Sequence, residues 1–201
     1  MKSGQNSGED NMALYIGLVH YPIYNKNGEI ITTAITNFDI HDIARTARTY
    51  GVKRYFVIHH IDSQIKLAEE IIAHWQTGYG STYNPDRREA FAILAFSASI
   101  EQAAQTIANE TGADPLIVTT DARPQANTLT YPSARQLITA GDRPVLLLFG
   151  TGWGIEESVM ARFDYILEPI HGPADYNHLP VRAAAAIILD RLTGETWWQT
   201  E

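Results

Sequence analysis

Two stretches late in the chain carry residue types suited to holding a small molecule. Val145 to Phe149 is an apolar run that stops at Gly150-Thr151-Gly152-Trp153-Gly154, and Tyr165-Ile166-Leu167 is a second that stops at Glu168 to Leu179. In an open α/β sheet, loops beyond the carboxyl ends of strands expose backbone N–H and C=O groups, and ligands bind there. The glycine turn has no Lys-Ser/Thr pair, so it is not a phosphate-binding loop; Ile155-Glu156-Glu157 follows instead. Coming late and running straight into acids, it is no dinucleotide fingerprint either. Two carboxylates at a helix N-terminus repel phosphate and tolerate a cationic or zwitterionic ligand. Taken alone, each stretch also reads as a plain turn. The glycines would serve backbone angles, and Pro180 would sit at the first position of the next helix, where its missing N–H is harmless.

The elements that must position these loops alternate along the chain. Leu14–Val19 reads as a strand, followed by an Asn27-Gly28 turn signal. Ile40, Ile43, Ala44 and Ala47 recur at helical spacing, with Asn37 or Asp39 as the expected N-cap and Gly51 as the stop. Tyr55–Ile58 is a strand, Ser63–Gln76 a helix, Gly78–Pro85 a loop, Ala92–Phe96 a strand and Ile100–Glu110 a helix. Pro115–Thr119 is a further strand, and a helix over Arg135–Ala140 starts near Pro132-Ser133. The pattern predicts one α/β domain, residues 13–201, with a mostly parallel sheet and helices on both faces. Residues 1–12, rich in Gly, Ser and Asn, read as a flexible tail.

Composition narrows the classes. The 201 residues carry a formal net charge of −8 and no cysteine, which excludes disulfides, thiolate zinc sites and a cysteine nucleophile, and fits a cytoplasmic protein. No apolar run approaches the ~20 residues of a membrane helix, and no apolar signal segment precedes the domain. The seven histidines include adjacent His59-His60 but no metal-binding spacing, so no metal is expected.

The two late stretches together resemble the C-terminal motifs of the SPOUT superfamily of S-adenosylmethionine (SAM)-dependent RNA methyltransferases, and within it a bacterial branch of uncharacterised RNA target. The residues that carry the resemblance are Leu147 to Gly154, Glu168-Pro169-Ile170 with Gly172, Tyr176-Asn177-His178-Leu179, Val181-Arg182, and Leu189 to Leu192. Upstream, Asp39 to Arg45 and Tyr83-Asn84-Pro85 match as well; Pro180 departs, standing where a serine is expected. The resemblance implies a C-terminal deep trefoil knot, a homodimer, an RNA substrate and SAM as cofactor. It implies a cofactor site built from Thr119, Thr120, Phe149, Gly150, Thr151, Gly152, Gly154, Glu168, Pro169, Ile170, Gly172, Tyr176, Asn177, His178 and Leu179. A side chain at Gly152 is expected to enter the cofactor's space.

The same resemblance makes Arg45 the arginine of the family's first motif, with Asp39 where many members have asparagine. Asp39 could act as a base or orient Arg45, and Asn177 completes the catalytic candidates. Methyl transfer needs an in-line methyl, a nucleophilic nitrogen or oxygen, and a route for the acceptor's proton. Arg45 could grip a phosphate or orient the acceptor. Arg45, Arg48, Arg87 and Arg88 are the RNA-binding candidates, with Tyr79 and Tyr83 beside them as possible stacking surfaces. Two rivals stand beside it: a non-catalytic SAM-binding module that partners another RNA-modifying enzyme, and a small-molecule enzyme or nucleotide-binding protein of flavodoxin-like topology.

Overall fold

Leu14 to Val19 forms β1, buried along its whole length because strands flank it on both sides and helices cover both faces. The computed structural model describes residues 13–196 except 124, 126, 127 and 175; the N-terminal tail (1–12) and Trp197-Trp198 lie outside the described residues. The other strands of the main sheet are β4 (Arg54–Ile58), β5 (Leu94–Ser97), β6 (Leu116–Thr120), β7 (Thr128–Leu129), β8 (Val145–Gly150) and β9 (Tyr165–Leu167). Their order is β5-β4-β1-β8-β6-β9-β7, and every pairing is parallel. A small antiparallel hairpin, β2 (Ile23–Tyr24) and β3 (Ile30–Ile31), stands apart from it.

Alternation along the central strands sorts their side chains into two cores. Leu14, Ile16 and Leu18 of β1 and Leu147 and Phe149 of β8 pack with Ile40, Ile43, Ala44 and Ala47 of helix α1 (Asn37–Thr49). The same core takes Ala185, Ile188, Leu189 and Leu192 of the last helix, α8 (Val181–Thr193). It also takes buried residues of α2 (Asp62–Gln76), α4 (Pro85–Phe91) and α6 (Tyr131–Ala140). Tyr15, Val19, Leu146 and Leu148 face the other way, onto Ile100, Ala103 and Ile107 of α5 (Ile100–Thr111). That second face is crowded at Gly17, where a Cβ would lie 2.8 Å from Leu148 Cδ2 and 3.0 Å from Ile58 Cδ1.

The expected strand–helix alternation holds, with differences at the edges. The loop expected over Gly78–Pro85 contains a short helix, α3 (Tyr79–Tyr83), and Asn84 caps α4 by accepting from the Arg87 N–H at 3.1 Å. Five residues cannot hold a helix unaided; packing on α2 and α4 supplies what local propensity lacks. Thr36, rather than Asn37 or Asp39, caps α1, its Oγ1 accepting from the Asp39 N–H at 3.2 Å. Pro180 occupies the N-cap of α8, one residue before the expected position. The two-residue strands β2, β3 and β7 are too short to show a period.

Candidate functional site

Because the main sheet is wholly parallel, all its strands end on one edge. Three adjacent strands, β8, β6 and β9, bring the expected cofactor residues to that edge together. Thr119-Thr120 closes β6, Gly150-Thr151 closes β8, and Glu168 follows β9. Thr119 is fully buried and its Oγ1 has no hydrogen-bond partner among the described residues, whereas Thr120 donates to the Leu148 carbonyl at 3.1 Å. Below the edge, between the sheet and α6 and α8, an apolar cavity lined by Val118, Leu129, Ile138, Leu147, Leu167 and Leu192 belongs to the core and offers no polar group.

The glycine turn is strapped from outside by the β2 hairpin. Tyr24 N–H donates to the Gly154 carbonyl at 2.9 Å, Trp153 N–H to the Tyr24 carbonyl at 3.0 Å, and Glu156 N–H to the Pro22 carbonyl at 3.2 Å. Gly152 and Gly154 have φ of +54° and +102°, conformations that L side chains rarely adopt. A Cβ on Gly152 would meet Ile23 Cγ2 at 2.9 Å and the Tyr24 carbonyl at 3.1 Å. It therefore points into the hairpin strap, and the expectation that it enters the cofactor's space is replaced by a collision behind the turn. Thr151 is also committed: its Oγ1 donates to the Val19 carbonyl at 2.9 Å and lies 2.6 Å from Thr33 Oγ1. Phe149 has its side chain in the core, 1% exposed.

Of the two acids after the turn, Glu156 is an internal cap. It accepts from the N–H groups of Ser158 and Val159 at the start of α7 (Glu157–Met160), and hydrogen bonds from Ser158 hold its carboxyl below the usual range. Across from it, the loop after β6 holds Arg123 in a fork on Asp121 at 2.9 and 3.1 Å, with Arg123 3.9 Å from where a Gly154 Cβ would stand.

The third loop is tied at both ends. Glu168 Oε1 accepts the Tyr131 N–H at 2.6 Å, fastening β9 to the start of α6. Pro169 is buried and Ile170 packs on the core. Asn177 Nδ2 donates to the Ala122 carbonyl at 2.9 Å, joining this loop to the one after β6. Gly172 has no heavy atom near its missing Cβ, and Tyr176, His178 and Leu179 are exposed. The donor set fits a nucleoside with a zwitterionic tail: backbone groups, small residues, apolar Ile170 and Leu179, and a guanidinium, Arg123, already paired with Asp121.

On α1, Asp39 and Arg45 are not partners. Asp39 is 9% exposed; Thr36 Oγ1 donates to its Oδ2 at 2.6 Å, and Arg182 Nε lies 3.5 Å from its Oδ1. Arg182 also binds Asp42 at 3.0 Å and lies over the Phe38 ring at 5.2 Å. Arg182, singled out only as part of a motif, is thus the side chain that clamps α8, at the end of the cofactor loop, to α1. Arg45 is exposed and makes no ion pair among the described residues. Arg48 is engaged by Glu89, with Nε 3.0 Å from Oε1. Arg87 lies over the Trp75 ring at 4.4 Å and Arg88 is exposed.

Behind the glycine turn, His20 closes β1. It is fully buried, its Nδ1 is 3.0 Å from Thr33 Oγ1, and its Nε2 has no partner among the described residues. Burial, then the neighbouring His59, pushes its pKa down from 6.5 to about 4. Burial lowers His59 and His41 as well. A histidine held neutral in the fold takes up its proton more readily once unfolded, so stability is full above about pH 6.5 and falls toward pH 4. The fall from His20 is roughly 3 kcal/mol. Denaturant unfolding at pH 7 and pH 4.5 should show this loss, and His20→Gln should narrow it; an unchanged gap would remove His20 as its source.

Comparisons with known proteins bear on this geometry. A profile of the SAM-dependent RNA methyltransferase family matches residues 13–194. An uncharacterized protein of Aquifex aeolicus is 44% identical over 182 residues, covering 90% of this chain and 89% of that one. A tRNA (guanine-N(1)-)-methyltransferase of Oleidesulfovibrio alaskensis is 41% identical over 90% of this chain but only 42% of its own length, so the chain spans less than half of that relative. The SpoU methyltransferase AviRb of Streptomyces viridochromogenes, solved in complex with AdoMet, shares the fold with a TM-score of 0.53 at 15% identity, covering 91% of this chain and 60% of that one.

Proposed function

The chain belongs to the family of SAM-dependent RNA methyltransferases, and from that membership we propose that it methylates a nucleotide of tRNA or rRNA as a cytoplasmic, trefoil-knotted homodimer. The observation that carries the site is the meeting of three loops at adjacent strand ends, two of them joined by the bond from Asn177 to the Ala122 carbonyl. No helix is long and apolar enough to cross a membrane among the described residues.

In this reading Thr119, Thr120, the Gly150–Gly154 turn and the Glu168–Leu179 loop hold SAM, which supplies an electrophilic methyl on its sulfonium. Ile170 and Leu179 wall the adenine; backbone groups of the glycine turn and the Glu168 loop meet its polar edge. Arg45 orients the acceptor or its phosphate through a planar fork of donors. Asp39 acts through Arg182, keeping α1 in register with the cofactor loop, and is a positioning residue. His178, exposed beside Tyr176, has a ring nitrogen able to take the proton that the acceptor loses.

The test is methyl incorporation. Total RNA from a strain lacking the protein, incubated with the protein and SAM carrying a labelled methyl, should gain label, and nucleoside mass spectrometry should place it on one modified base or ribose. SAM binding without incorporation into any RNA would mark a non-catalytic SAM module instead.

A further inference from the structure

Tyr79 and Tyr83 stand one turn apart on α3, so both rings leave the same side of the helix. Their centroids are 6.3 Å apart with planes inclined by 22°, and they are 78% and 75% exposed. Two large rings arranged nearly parallel and left bare are unusual where burial would stabilise each.

The surroundings are cationic in a chain whose formal net charge is −8. Arg87 and Arg88 on α4 make no ion pair among the described residues, and the nearby Glu89 is already taken by Arg48. Asp86 is the acid left in the first turn of α4. Arg87 rests on Trp75, whose ring also meets His41 of α1, edge-on at 5.4 Å, and His74 at 5.3 Å. His41 also meets Phe91 at 4.8 Å and lies within electrostatic reach of both Arg87 and Arg45. Arg87, Trp75 and His41 are therefore in successive contact, between the tyrosines of the adjoining α3 and Arg45 on α1.

Resting on the RNA methyltransferase reading, we propose that Tyr79 and Tyr83 form a stacking platform for an unpaired nucleotide of the substrate RNA, its phosphates held by Arg87 and Arg88, on a track that leads to Arg45. Planar rings paired with guanidinium groups suit a ligand that has a free π-face on each unit and a negative charge between units. Single-stranded RNA has both; an RNA duplex buries its base faces and presents only phosphates and 2′-hydroxyls. The platform lies away from the three cofactor loops in the fold, so it reads RNA context and does not hold SAM.

The probe is a short, fluorescently labelled oligoadenylate, followed by anisotropy on the full-length protein, with SAM affinity measured by calorimetry on the same samples. Tyr79→Ala with Tyr83→Ala should weaken the oligonucleotide at least tenfold and leave SAM affinity within twofold. Tyr79→Phe with Tyr83→Phe should retain binding, because a phenyl ring stacks as well. Arg87→Gln and Arg88→Gln should each reduce the slope of log affinity against log salt by about 0.7. Unchanged oligonucleotide affinity in the alanine pair would overturn the proposal. So would an equally strong and equally sensitive interaction with duplex RNA. Dissociation of a dimer on removing the rings, seen by sedimentation, would assign them to a second copy of the chain instead. Methyl incorporation is scored separately, so loss of this proposal leaves the enzymatic reading standing, and the reverse.

Discussion

Gly152→Val abolishes useful SAM binding, lowering affinity by about two orders of magnitude in calorimetry. The cause lies behind the turn. Valine is β-branched and resists the positive φ that Gly152 adopts, at a cost on the order of 1–3 kcal/mol. Its Cβ would also stand 2.9 Å from Ile23 Cγ2 and 3.1 Å from the Tyr24 carbonyl. That carbonyl accepts the Trp153 N–H, and Tyr24 N–H donates to Gly154, so the strap cannot retreat without releasing the turn. The turn must shift, and each tenfold of affinity needs only about 1.4 kcal/mol of misplacement. The melting temperature should fall too, by about 2–4 °C for each kcal/mol lost in a domain of this size. Gly28→Ala is the matched control: φ is +78°, yet nothing lies within 4 Å of its Cβ position. It should cost about 1 kcal/mol of stability and leave SAM affinity alone. If Gly152→Val binds SAM as the wild type does, the glycine turn is not part of the cofactor site.

The strap explains what was and was not legible in the chain. Strict periodicity marks long buried elements, and Leu14–Val19, Val145–Phe149 and the stripe Ile40, Ile43, Ala44, Ala47 were readable for that reason. The hairpin that braces the turn has two-residue strands, so only its Asn27-Gly28 signal survives in sequence. Its effect on Gly152 arises from a contact between residues well over a hundred positions apart, which no local pattern encodes. Glu156 shows the same limit. Two consecutive acids read as a charge beside the ligand, but one of them caps a four-residue helix.

Resemblance reached further than periodicity at the site, and geometry then redistributed roles within it. Motif matching brought Arg45, Asp39 and Asn177 forward as a set. In the fold each has different company: Asn177 joins two loops, Asp39 meets Thr36 and Arg182, and Arg45 is exposed. Arg182 carries its own signal in the sequence. It sits in the first turn of a helix, where a cation is disfavoured by the dipole, and such a residue asks for a carboxylate partner. Asp39 and Asp42, three apart on α1, supply two.

That separation makes Arg45→Ala the most informative substitution on α1. Arg45 is exposed and has no ion pair among the described residues, so its loss should leave the melting temperature and SAM affinity essentially unchanged. Methyl transfer to RNA should nevertheless fall by a factor on the order of 10²–10³, the loss typical of removing one donor that stabilises developing charge. Arg45→Lys should recover little, since an ammonium cannot reproduce a planar two-pronged grip. Arg48→Ala is the comparison within the same helix; Arg48 is already held by Glu89, and its loss should cost activity only a few-fold. The split of kinetic constants separates two roles for Arg45. A group that only grips phosphate raises KM and reduces the salt dependence while kcat stands. A group that orients the acceptor lowers kcat at saturating RNA. Transfer at the wild-type rate with wild-type KM would remove Arg45 from the reaction altogether, and would leave the cofactor loops without a reactive partner on α1.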